Sequence, residues 1–489
     1  MKKMREKYNL LTAIAICFLV YVVLSWFVPT GSVANNEFTG AGTNPVGLFG
    51  LIYYPGITAG TFLQFGLIIL AIGALYGVMN KTGVYGTIVN NTVSKIRGKE
   101  KRFLMITVAL LIIISSLVGL PYAMLVVVPF LMAVMLKLGY NKITTVASTI
   151  GSILVGQIGS TFGYTIAGLS SSLLGLEITE GIWSRLALLV IVLFLFVLFV
   201  TGNKETKVKE AKKANHDKKG KKDTVNEITS EEKVIFLENE VTSNKKTFSL
   251  KLLFILTFII ACVSMFNWNT VFKFTAFEDF YEKIVGITVS DYPLLKNFLG
   301  LTNPFGYWDS YELVALLIVS SIIIGWVYNL SLVDLFDGMK AGARRVLKPA
   351  CVIMIANIIF TLVLSSTEGT MLVYITEKLA SISDSFNLFT TALTGIIGGF
   401  FYNNYYYYFN SIATDLAIHI DADYYTIMTF ILQSIYGLMM MILPTSLILV
   451  SGLSMLGVSF REWIKYIWRF VAQLLVIVLI ISVILVLVV

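Results

Sequence analysis

Charge is scarce in this chain. Only 13% of its 489 residues are Asp, Glu, Lys or Arg, against about 25% in ordinary soluble domains. Apolar residues make up 57% and the mean hydropathy is +0.81. These values exclude a soluble globular enzyme, a disordered chain and a nucleic-acid-binding module. The net charge of +8 does not reverse this, because Lys and Arg sit in a few short segments between long apolar runs. That is the pattern of membrane-protein loops. With 2 histidines and no clustered carboxylates, there is no set of groups for catalysis inside a bilayer, so no enzyme and no cofactor are expected. No Gly-x-x-x-x-Gly-Lys-Ser/Thr loop occurs, which argues against ATP-driven transport within the chain. Cys17, Cys262 and Cys351 all fall inside apolar runs. They read as small core residues, not as a disulfide framework or a metal cluster.

The long apolar runs give the architecture. A membrane-spanning helix needs about 20 mostly apolar residues. Nine stretches qualify: 9–28, 57–79, 143–166, 183–201, 251–270, 312–333, 349–366, 425–450 and 468–489. Two further stretches, 103–138 and 388–417, are too long for one span and short for two. The first is broken by Gly119-Leu120-Pro121, the second by Gly398-Gly399 and a polar run.

Charge orients them. The N-terminus (Lys2, Lys3, Arg5), residues 81–102, the pair Lys137 and Lys142, and the segment 202–222 with its nine lysines are all basic, hence cytoplasmic. Stretch 103–138 therefore enters from the cytoplasm and returns to it. Lys340, Arg344, Arg345 and Lys348 mark another cytoplasmic segment, and no Lys or Arg lies between residues 379 and 460. Stretch 388–417, flanked by Asp384, Asp421 and Asp423, therefore enters from outside and returns there. On this count the C-terminus is outside. A tight full-depth helix pair would satisfy the same charges, but the helix-breaking tips favour re-entrant hairpins, with their irregular backbone covered by protein or lining a wet cavity.

The two hairpins share a context. Gly83 precedes Phe103 by 20 residues, and Gly369 precedes Phe389 by 20. Each hairpin is followed by a span with a polar interruption and then a plain span. Weak similarity with opposite topology is the mark of an inverted-repeat secondary transporter. The expected fold is an all-α polytopic membrane protein of about nine spans plus two opposed hairpins. Residues 1–201 form one repeat and 312–489 the other. Residues 202–250 are a Lys-rich cytoplasmic linker, and 251–311 hold an extra helix and an aromatic outer loop, read as a packed cap.

Interrupted helices near the midplane supply substrate sites in such proteins, because half-helix N-termini favour anions and free carbonyls favour cations. Four places qualify. The first tip offers Ser115, Ser116, Gly119 and Tyr122, with Pro121 ending the helix. The interruption of the third span offers Gln157, Gly159, Ser160 and Thr161. The second tip offers Tyr402, Asn403 and Asn404. The eighth span offers Gln433, Ser434, Thr445 and Ser446 around Pro444. Close packing alone would explain any one of them, but four matching places in two repeats argue for a site. The run Tyr405–Tyr408 reads equally well as an interfacial aromatic belt. No charged residue lies in either tip or interruption. Asp415 and His419 are the nearest, and Asp415 reads as a helix-end or interfacial residue. Coupling to Na⁺ or solute exchange thus needs fewer assumptions than proton coupling. The expected function is secondary transport of a small carboxylate or amino acid across the plasma membrane. A transporter-like sensor that no longer transports is the second reading.

Four passages carry a resemblance: Val128-Pro129-Phe130 through Lys142, Gly156-Gln157-Ile158-Gly159-Ser160-Thr161, Val333-Asp334-Leu335-Phe336-Asp337-Gly338-Met339, and Leu443-Pro444-Thr445-Ser446. Together they resemble the ion transporter superfamily, in its YfcC-like, C4-dicarboxylate anaerobic carrier branch, related to the p-aminobenzoyl-glutamate transporters. The resemblance implies substrate and coupling ion at the two tips and two broken helices, best matched by Gly159, Ser160, Thr161, Pro444, Thr445 and Ser446. It also implies a homodimer, and solutes that include amino acids and dicarboxylates. Three departures stand out. The branch's first tip often carries an acidic pair, where this chain reads Pro121-Tyr122-Ala123. Its second tip is usually rich in Ser and Gly, where this chain reads Tyr402-Asn403-Asn404-Tyr405. Its last broken helix often has Asp and Asn before the Pro-Thr-Ser, where residues 436–441 here are largely apolar. These losses point to a different or more apolar solute.

Overall fold

The structure is a computed structural model that describes residues 9–34, 37–119, 121–163, 168–202, 247–288, 292–300, 302–364, 366, 369–383 and 385–488. The basic N-terminus, Leu120, Tyr164, Asp384 and nearly all of the Lys-rich linker lie outside the described residues.

The first half comprises α1 (Asn9–Phe27), an antiparallel pair β1 (Pro29–Ala34) and β2 (Glu37–Thr43), α2 (Ala59–Lys81), the amphipathic α3 (Tyr85–Ile96), α4 (Glu100–Val118) and α5 (Val128–Lys137). Next come α6 (Lys142–Val146), a π turn at Ala147–Gly151, α7 (Ser152–Ile158) and α8 (Ile182–Gly202). The connecting helix is α9 (Thr247–Met265). The second half comprises α10 (Ser310–Val327), α11 (Leu332–Ala356), α12 (Ile358–Leu364), the amphipathic α13 (Met371–Ala380), α14 (Leu388–Phe401), α15 (Tyr405–His419), α16 (Tyr425–Ile442), α17 (Leu447–Leu456) and α18 (Phe460–Val488).

Eight helical segments among the described residues are long and apolar enough to cross a membrane. They correspond to eight of the nine expected spans. The ninth, 143–166, stops at Ile158, because the chain leaves helical geometry at Gly159. A second correction concerns the start of the span expected at 349–366, which the basic residues of 340–348 precede without a break. They belong to α11, which runs unbroken through Pro349 and abuts α12, so that Leu332–Leu364 forms one segment. The membrane-spanning architecture is all-α, with one short hairpin beside it: β1 and β2 pair, and Gly31 of β1 exchanges both backbone hydrogen bonds with Thr370. These Gly- and Thr-rich strands lack the alternation that marks a half-buried strand. Thr370 also caps α13 through Val373 N–H. Cysteine placement is a third correction, since Cys351 is exposed and Cys17 and Cys262 are only half-buried.

Local chemistry sets the ends. Asn141, Asn387 and Asn404 accept backbone N–H groups of α6, α14 and α15, satisfying orphan donors of the first turn. Asp309 and Glu312 form a reciprocal capping box on α10. Gly119, at φ 69°, ends α4, a left-handed conformation that glycine adopts without a Cβ clash.

The tightest contact between the halves is α2 on α11. Gly73 and Gly77 meet Gly338 and Gly342, and a Cβ on Gly77 would lie 2.1 Å from Gly338 O. Small residues at this spacing let backbones touch, which gives dispersion contacts that lipid tails do not replace. In residues 266–308 the rings of Phe266, Trp268, Phe272, Phe277, Phe305 and Trp308 form a chain of aromatic contacts.

Candidate functional site

The first tip and the first interruption fold onto each other. Ser115 on α4 donates to Ile153 O at 2.7 Å. One residue on, Ser116 Oγ donates to Gly159 O at 2.8 Å, lies 3.1 Å from Thr161 Oγ1 and accepts from Thr161 N. Ser160 Oγ donates to Ser116 O. Gly163 presses on Gly119, where a Cβ would come within 2.5 Å of the Gly119 Cα. Ser115, Ser116, Gly119, Gly159, Ser160 and Thr161 are thus brought together, and both serines of the tip are buried. Gln157 is buried on the last turn of α7. Tyr122 is half-buried against Phe65, with centroids 4.7 Å apart.

The second half repeats this construction with different side chains. Between α14 and α15, Asn403 Nδ2 donates to Asn357 Oδ1 at 3.0 Å and to Thr445 O at 3.3 Å. Tyr436 on α16 donates its hydroxyl to Asn403 O. Pro444 lies in the break between α16 and α17, with Leu443 extended and Ser446 as the N-cap of α17. Tyr402 is buried and accepts from Ser411 Oγ, while Asn404 caps α15 at Tyr406 N.

The halves then join. Gln433 on α16 donates to Ser160 O at 2.8 Å, and a Cβ on Gly437 would lie 2.8 Å from Ile158 Cα. The interruption that follows α7 therefore packs against an intact stretch of α16. Around this seam four polar atoms are buried without a hydrogen-bond partner: Asn403 Oδ1, Gln433 Oε1, Ser434 Oγ and Thr445 Oγ1. Each such atom costs about 1–3 kcal/mol if it stays unpaired, and native proteins leave few of them without cause. Chemically, the seam offers neutral oxygens, an amide and the buried N-terminus of α17, whose N-cap Ser446 makes no side-chain capping bond.

Two participants escaped the sequence reading. Asn357 sits fully buried at the junction of α11 and α12, where it links Asn403 to Thr61 O. A single Asn inside an otherwise apolar run was the available signal. Arg185 on α8 is only 4% exposed and donates to Ile178 O and Glu180 O, within electrostatic reach of Tyr405. The tyrosine run divides between the two readings: Tyr405 and Tyr408 pack against Tyr436, while Tyr406 and Tyr407 are exposed. Asp415, near the end of α15, is fully buried.

The comparisons with known proteins bear on the chain as a whole. The family model described as DcuC, the C4-dicarboxylate anaerobic carrier, matches residues 8–487. The chain belongs to this family. It is accordingly a multi-pass membrane transporter and not an enzyme. No match is found among curated proteins. Among solved structures it is similar to the Alcanivorax borkumensis YdaH transporter, at 14% identity and a TM-score of 0.33, over 98% of this chain and 97% of that one.

Proposed function

We propose that this C4-dicarboxylate carrier family member moves a small dicarboxylate across the plasma membrane by secondary transport, coupled to Na⁺ or by exchange, at the seam between its broken helices. The observation that carries the reading is the bond from Gln433 to Ser160 O, with four unpaired polar atoms around it. A carboxylate would lie at the N-terminus of α17, beside Thr445 and Asn403, where the helix dipole favours negative charge. Na⁺ would take carbonyls freed where α7 stops after Ile158 and where α14 stops after Phe401, the negative ends of those helices. The amino-acid alternative ranks behind dicarboxylates because the family description names the latter.

The scaffold belongs to the same proposal. Residues 1–201 and 312–489 are inverted repeats, and each helix pair, α4–α5 and α14–α15, is a re-entrant hairpin entering from opposite sides. The N-terminus and the 202–250 linker are cytoplasmic, and the C-terminus is outside. Two packing relationships support the repeat: α7 lies on α4 as α16 lies on α14. A homodimer is part of the proposal, to be read from the mass of the detergent-free particle.

The test is uptake of labelled succinate or fumarate into proteoliposomes, with and without a Na⁺ gradient or internal dicarboxylate. Saturable uptake that responds to either condition supports the proposal. Absence of uptake and of any ligand-induced rise in melting temperature would favour the non-transporting reading.

A further inference from the structure

Glu377 on α13 and Asp415 and His419 on α15 lie outside the seam, and one ligand atom from each falls within 4.8 Å of the others. Asp415 and His419 are four residues apart on one helix, so they share a face. Glu377 reaches them from the amphipathic helix that precedes the hairpin. His419 Nε2 is 2.8 Å from Glu377 Oε2. Asp415 is the anomaly. Its side chain is fully buried, and neither carboxylate oxygen has a hydrogen-bond partner. The ionised form of a carboxyl buried without donors is strongly disfavoured, so a cation, a donor or a proton must complete it. The structure brings two carboxylates and an imidazole to one place and leaves the innermost unfinished.

We propose that Glu377, Asp415 and His419 form a binding site for a borderline divalent transition-metal cation such as Zn²⁺. The imidazole selects this class over Na⁺ or Ca²⁺, which take oxygen ligands. At metal–ligand distances of about 2.0–2.2 Å, tetrahedral ligand atoms sit about 3.3–3.6 Å apart. His419 and Glu377 must therefore part by roughly half an ångström, while Asp415 closes in by no more than about 1.5 Å. Rotation of the half-buried Glu377 and His419 side chains, 17% and 27% exposed, supplies both movements and leaves a fourth position for water. A bound cation would staple the returning arm α15 to α13 and restrain the second hairpin. It is a regulatory site, separate from the seam, and its binding test does not depend on the transport reading.

The experiment is a Co²⁺ titration of the purified full-length protein in detergent after chelator treatment, followed by Zn²⁺ competition. Cobalt's visible ligand-field absorption reports a His and carboxylate environment directly. The expected result is one saturable site per chain, displaced by Zn²⁺, with affinity at least about tenfold weaker in Asp415→Asn and in His419→Gln. Melting curves without metal confirm that each variant is folded, and Glu377→Gln serves where one of the others is not. Absence of the absorption in the wild-type protein, or unchanged affinity in folded variants, overturns the proposal. So does a melting temperature that responds to pH in the wild type but not in Asp415→Asn, with no metal response, which would make the cluster a proton site.

Discussion

Gln433 Nε2 donates to the backbone carbonyl of Ser160 across 2.8 Å, and 273 residues of chain separate the two. The bond ties the break after α7 to an intact turn of α16. It uses only the amide N–H side of Gln433, whose Oε1 remains buried without a partner.

Replacing Thr445 by Val should separate binding from stability. The side chain keeps its shape and loses a buried hydroxyl that has no partner in the protein. The melting temperature is expected to hold or rise, since an unpaired buried hydroxyl costs about 1–3 kcal/mol. Dicarboxylate affinity is expected to fall about tenfold, and Thr445→Ser should restore it. Equal uptake by Thr445→Val and the wild type would remove Thr445 from the site.

Gln433→Leu should behave differently, because it breaks a bond that exists. Ser160 O loses its partner, and the protein is expected to lose about 1–3 kcal/mol as well as most of its uptake. Differential scanning fluorimetry and proteoliposome uptake read the two effects. A variant that transports normally would show that the seam can open without cost.

Asn357→Leu removes both the acceptor that Asn403 uses and the donor to the carbonyl of Thr61. Its effect should not add to that of Asn403→Ala. A double-mutant cycle is expected to give an interaction energy of about 0.5–3 kcal/mol, measured by denaturant titration or relative melting temperature. A value near zero would mean the two residues act independently.

Gly77→Leu should prevent folding, since its Cβ alone would sit 2.1 Å from Gly338 O. Gly86→Ala is the matched control. That glycine lies in α3 with nothing within 4 Å of a Cβ, and alanine is favoured over glycine in a helix by about 0.5–1 kcal/mol. Fluorescence size-exclusion profiles should show loss of the monodisperse peak for the first variant and none for the second.

Apolar run length, helix breakers and caps act over one or two turns, so the sequence by itself determined where the chain is helical and where it stops. Gly119 and Pro444 end their helices, and Asn141 and Asn404 start theirs, at positions legible from residue type. The glycine-flanked break at 159–163 is likewise local. Tertiary structure alone decided which of these ends meet. Nothing near Gln433 in the chain names Ser160, and nothing near Asn403 names Asn357. Each pairing depends on the register of helices packed against one another, which backbone contact at Gly73, Gly77, Gly338 and Gly342 helps to set. The strands at 29–43 are joined to the second half through Thr370. Glu377, Asp415 and His419 became a cluster only because α15 folds back on α13, which buries the carboxyl group of Asp415.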